Sequence, residues 1–68
     1  MPADVAEALE ECGVMEAYMA RPDYQRNDYV GWISRAKRAE TREKRLRQML
    51  DELAKGDIYM KMAWRPHG

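Results

Sequence analysis

Apolar residues recur along this chain at helical spacing, not at strand spacing. Val5, Leu9 and Cys12 fall at i, i+4 and i+7, the inward face of one short helix. Asp4, followed three residues later by Glu7, has the form of a capping box, and Gly13 suits a C-terminal cap. A second short helix over 14–20 would turn Met15, Tyr18 and Met19 inward. Pro22 fits the first position of a third helix, where its missing N–H costs nothing. Asp23 there complements the positive end of the dipole. The stripe that follows is Tyr29, Trp32, Ile33 and Ala36, again i, i+3, i+4 and i+7. At about 100° per residue, Gly31 projects nearly opposite that stripe.

A fourth helix is expected over Ala39 to Lys55, with Leu46, Met49, Leu50 and Leu53 inward and Gly56 as its C-cap. Glu40–Lys44, Glu43–Arg47 and Asp51–Lys55 support it as acid-first i,i+4 pairs. Neither proline nor glycine marks the join near Lys37–Arg38, which leaves open a turn or one long bent helix. The tail "DIYMKMAWRPHG" is apolar at Ile58, Tyr59, Met60, Met62 and Trp64. It is expected to fold back on the helices, extended or as one helical turn. The predicted fold is an all-α bundle of three to four helices. Its core is a C-terminal helical hairpin, about 22–37 and 39–55, that buries Trp32, Ile33, Leu46, Met49, Leu50 and Leu53. Residues 1–56 form the domain and 57–68 its tail.

Composition sharpens this picture more by exclusion than by assertion. Sixty-eight residues make one small domain with a limited core. One cysteine and one histidine provide neither a disulfide nor zinc-ligand spacing, so Cys12 reads as a small buried hydrophobe. No stretch approaches the roughly 18–20 apolar residues that span a bilayer. The acidic N-terminus, with Asp4, Glu7, Glu10 and Glu11, is unlike a signal peptide. A cytoplasmic protein without membrane insertion is expected.

The net charge of zero is a cancellation between segments. Residues 1–34 carry two basic and seven acidic side chains, net −5, and residues 35–47 carry seven basic and two acidic, net +5. Acid–base or nucleophilic catalysis needs a titrating group held by partners in a cleft. His67 is the penultimate residue with nothing to hold it, and the pairs Glu10–Glu11 and Asp51–Glu52 read as solvated helix faces. No enzyme, metal or cofactor is expected.

A nucleic-acid reader would gather its cations on one face to track phosphates. Projected on helix four, they scatter. Lys44 points away from the apolar stripe, Arg47 lies to one side, and Arg38, Arg42 and Arg45 lie to the other. Arg42 falls only about 30° from the stripe centre, so its stem should lie on the core and its head should pair with an acid of the N-terminal helices.

The run "YVGWISRAKRAETREKR" with the following Leu/Met helix resembles the YdeI/OmpD-associated, or bacteriocin-protection, family. The family pattern falls on Tyr29, Val30, Trp32, Ile33, Ala36, Lys37, Glu40, Thr41, Arg42 and Arg45, and "PADVAEALEE" is similar to its opening segment. The resemblance covers roughly residues 2–56. It departs at Arg21, where the family often has a small polar residue, and at Ala39, where it often has proline. The resemblance implies a small helical module linked to resistance against bacteriocins and cationic antimicrobial peptides, and to association with an outer-membrane porin. It brings no catalytic residue and no cofactor. The expected function is therefore a non-enzymatic binding or stress-protection module. Arg35, Lys37, Arg38 and Arg45 are its candidate surface for an unknown protein partner. The alternative is weak nucleic-acid binding through the 35–47 cations, and a homo-oligomer pairing the Met/Trp tail is a third reading.

Overall fold

The computed structural model describes residues 1–64; His67 and the rest of 65–68 lie outside the described residues. Four helices follow in order: α1 (Ala3–Glu11), α2 (Met15–Ala20), α3 (Asp23–Ser34) and α4 (Ala39–Lys55). A two-stranded antiparallel hairpin closes the described chain. It consists of β1 (Ile58–Tyr59) and β2 (Met62–Ala63), with Ile58 opposite Ala63 and Tyr59 opposite Met62. The helices are those the apolar stripes predict, and the fold is all-α apart from this small ribbon.

The core is made of one or two residues from each helical stripe: Val5, Leu9, Val14, Tyr18, Tyr29, Ile33, Met49 and Leu53. Two glycines set the chain direction as expected. Gly13 follows the cap of α1 at φ +70°, and Gly56 caps α4 at φ +82° with its N–H donated to the Glu52 carbonyl. Both angles lie in the left-handed region that costs a residue with a Cβ.

Several expectations need correction. No capping box forms. Helix α1 starts two residues earlier, with Pro2 as N-cap and no side-chain cap bond, so Asp4 sits inside the first turn and its carboxylate turns elsewhere. Cys12 is exposed. It is the C-cap where the helix already turns away, and Val14 takes the inward place instead. Met19 is 55% exposed, because α2 is barely two turns long and orients Tyr18 to the core about 100° away from Met19. Trp32, Leu46 and Leu50 are half-buried and flank the core without filling it. Helix α3 ends at Ser34, three residues before the expected boundary, and Arg38 is extended at φ −102°, ψ 143°. The join is therefore a turn, not a bent helix. Glu43–Arg47 and Asp51–Lys55 form at 2.7 and 3.1 Å. Among the described residues Glu40 meets Arg38 at 3.9 Å, not Lys44.

A cationic turn, an arginine clasp and a buried carboxylate

The basic segment separates into side chains that the fold uses and side chains that it leaves in solvent. Arg42 belongs to the first group, as its position on α4 predicts. Its Nε and Nη2 donate to the two oxygens of Asp4 at 2.9 and 3.0 Å, and Nη1 donates to the Ile33 carbonyl at 3.3 Å. One planar guanidinium thus ties α1 and the end of α3 to α4, with the fork geometry that makes arginine–carboxylate pairs specific. The hydrogen bond from Arg42 holds the Asp4 carboxyl below its usual range. A group whose folded pKa is depressed stabilises fully above its unfolded value and loses that contribution as pH falls through the folded one. Stability should therefore begin to drop as pH falls below about the ordinary 3.8 of Asp4. Asp4→Asn should flatten that part of an acid-melting series followed by circular dichroism.

Arg45 is also taken up. It donates from Nη1 to the Trp32 carbonyl at 2.6 Å, and its guanidinium carbon lies 5.3 Å from the centroid of the Trp32 ring. Half-buried Trp32 is thus a platform for a cation as well as a flank of the core. Placing Arg45 with the exposed surface residues is corrected by this contact. Arg47 pairs with Glu43 on the solvated side of α4, and Lys44 is exposed there. Of the remaining motif residues, Glu40 stands exposed in the first turn of α4, where an acid suits the dipole. Thr41 and Ala36 are half-buried beside the α3–α4 turn.

Arg35, Lys37 and Arg38 are what remains, all exposed on the non-helical corner between α3 and α4. Arg35 caps α3, and its guanidinium lies over Gly31, where an added Cβ would stand 3.2 Å from Nη1. That contact explains why a glycine predicted to face solvent is half-buried. Among the described residues neither Arg35 nor Lys37 makes an ion pair, and the only one for Arg38 is the 3.9 Å contact with Glu40.

The feature that sequence reasoning missed lies on the other side of the molecule. Glu52, read as part of a solvated acidic pair, is 2% exposed. Its carboxylate accepts from the Tyr29 hydroxyl, from Gln48 Nε2 at 3.1 Å, and from the successive backbone N–H groups of Met60 and Lys61 at 2.7 and 2.9 Å. Its carbonyl accepts from Arg21 at 3.2 Å. Arg21, itself 4% exposed, also donates to Gln25 Oε1 at 3.0 Å and to the Ile58 carbonyl at 2.9 Å, under the Trp64 ring. A signal for this network was present. Arg21, Gln25, Tyr29 and Ile33 run at i, i+4, i+8 and i+12, and Glu52 follows Met49 by three, so the polar members occupy positions of an apolar stripe.

Among the described residues no group of three or more His, Cys, Asp and Glu side chains is arranged to hold a metal, and no helix is long and apolar enough to cross a membrane. No curated protein and no solved structure matches the chain. Residues 1–56 match the family described as "Bacteriocin-protection, YdeI or OmpD-Associated", a span that includes all four helices and both the arginine clasp and the cationic turn. The chain therefore belongs to the bacteriocin-protection, YdeI/OmpD-associated family.

Proposed function

We propose that this protein is a non-enzymatic, cytoplasmic binding module of stress protection that docks on an acidic surface of a partner protein through Arg35, Lys37 and Arg38. One observation carries the reading. Of the seven basic side chains between 35 and 47, Arg42, Arg45 and Arg47 are engaged on α4 and Lys44 stands alone on its solvated side. Arg35, Lys37 and Arg38 stand exposed together on the α3–α4 corner, with one 3.9 Å contact, Arg38 to Glu40, as their only ion pair among the described residues. Exposed cations grouped on a short turn between two docked helices are suited to electrostatic recognition. They raise association rate and select partners by charge.

The same cations offer little to a nucleic acid, because three side chains on one corner do not track a phosphate backbone. A titration with duplex DNA and with RNA at two salt concentrations separates the readings. We expect no measurable binding even at low salt, whereas binding that weakens steeply with salt would replace the protein-partner reading. The combined variant Arg35→Glu, Lys37→Glu and Arg38→Glu should melt close to the parent, since exposed substitutions usually stay within about 0.5 kcal/mol each. It should nevertheless fail to protect cells in a bacteriocin-challenge assay in which the parent protects.

A further inference from the structure

The recess around Glu52 is shaped to hold a tight turn, and the turn that fills it fits its own backbone poorly. Glu52 offers two acceptor oxygens to two successive backbone N–H groups. Arg21, anchored by Gln25 and by the Glu52 carbonyl, offers a donor to the carbonyl of the preceding strand residue. Tyr29 gives an edge-to-face contact to Tyr59, with ring centroids 5.5 Å apart, and Asp28 accepts from the Tyr59 hydroxyl. Every wall residue lies between 21 and 52, inside the span that matches the family model, with Arg21 a departure from the family's usual residue, whereas the occupant lies beyond residue 56.

That occupant is weakly determined. Its strands are two residues long, too short to be stable alone. Its turn places Met60 at φ +50° and Lys61 at φ +64°, a conformation that Asn and Gly adopt readily and that long side chains resist. Gly56, the left-handed C-cap at φ +82°, joins the hairpin to α4.

We propose that the Glu52–Arg21–Tyr29 recess is an exchangeable turn-binding site, covered by the chain's own hairpin and opened when a partner protein's hairpin with a two-residue Asn-Gly type turn displaces it. The carboxylate reads the paired N–H groups, Arg21 reads the strand carbonyl, and Tyr29 reads an aromatic residue before the turn. This site is separate from the cationic corner, and neither depends on the other.

The test uses a labelled synthetic peptide of residues 57–64 carrying Met60→Asn and Lys61→Gly. In the full chain, Met60→Pro removes one of the N–H donors and forbids the positive φ, which should leave the recess open on intact helices. The peptide should bind that chain saturably, about tenfold or more weaker once Glu52→Gln removes the charged acceptor. On the native chain, the indole N–H resonance of Trp64, whose ring centroid lies 4.4 Å from the Arg21 guanidinium carbon, should shift as peptide displaces the hairpin. An unmoved Trp64 resonance at excess peptide overturns the proposal whatever the variant does. So does equal binding to the Met60→Pro chain with and without Glu52→Gln, or absence of binding to a folded Met60→Pro chain. If Met60→Pro does not fold, the native titration decides alone.

Discussion

Glu52→Ala should lower stability by about 2–4 kcal/mol and release residues 57–64 from the helices. The carboxylate satisfies four donors at once. Removing it leaves the Tyr29 hydroxyl and Gln48 amide beside the core without an acceptor, at roughly 1–3 kcal/mol for each donor that stays buried. The two backbone donors can escape to water, but only if the hairpin peels away, which uncovers Tyr29. A domain of this length holds on the order of 3–10 kcal/mol in total, so the loss is a large fraction of it. It should move the melting midpoint by at least about 10 °C. Hydrogen exchange should show Met60 and Lys61 amides losing protection before those of α4. A variant that melts within a degree or two of the parent would remove Glu52 from the account of the fold.

The second large effect belongs to Tyr29, which is fully buried and touches both the apolar core and the polar network. Tyr29→Ala should cost about 3–5 kcal/mol, as truncation of a buried aromatic does, enough to leave much of the population unfolded at 25 °C. Tyr29→Phe separates the ring from the hydroxyl and should cost roughly 1–2 kcal/mol, mainly through the charge-assisted bond to Glu52. The same residue predicts an alkaline signature. Burial first, and then the hydrogen bond to Glu52, pushes the Tyr29 hydroxyl well above its ordinary value of 10.0. Burial also raises Tyr18, and burial with Asp28 raises Tyr59. For a neutral acid whose folded pKa is raised, stability is whole below the unfolded pKa and is lost as pH climbs above it. Thermal melts should be flat up to about pH 10 and fall beyond it, less steeply in Tyr29→Phe. Equal slopes in parent and variant would show that Tyr29 does not carry the effect.

These two residues also mark how far the sequence could be read. The apolar stripes located all four helices, and the two left-handed glycines punctuated them, because periodicity and cap chemistry are local. Arg42 was legible for the same reason: its angle to the stripe of α4 required a partner, and α1 had an acid to give. Trp32 was placed too deep. A stripe reports which side faces the core and not how far the neighbouring helix extends, and here Arg45 occupies the space over the indole. Arg21 and Glu52 occupy stripe positions, but apart from Gln25 and Gln48, four residues away, their partners are 31 to 37 residues from Arg21 and eight to 23 from Glu52 in the chain, so the network itself was not legible. A charged residue in a helical repeat defaults to solvent unless a distant segment folds over it. The hairpin that does so has no signature in its composition, since Met60 and Lys61 are unusual residues at positive φ. Within the basic run, helical projection placed Arg42 against the core and Lys44 in solvent, but only the packed structure could show that Arg45 is engaged while Arg35, Lys37 and Arg38 stand exposed.

That remainder is the basis of the functional account, and one comparison addresses it directly. The parent and the Arg35→Glu, Lys37→Glu, Arg38→Glu variant would be used side by side to capture proteins from the native cell at low and moderate salt. Captured proteins would be quantified for both baits. The account predicts an acidic protein that the parent retains and the variant loses, with retention by the parent falling as salt rises. Retention of the same proteins in equal amounts by both baits, with the variant folded as the parent is, would contradict it.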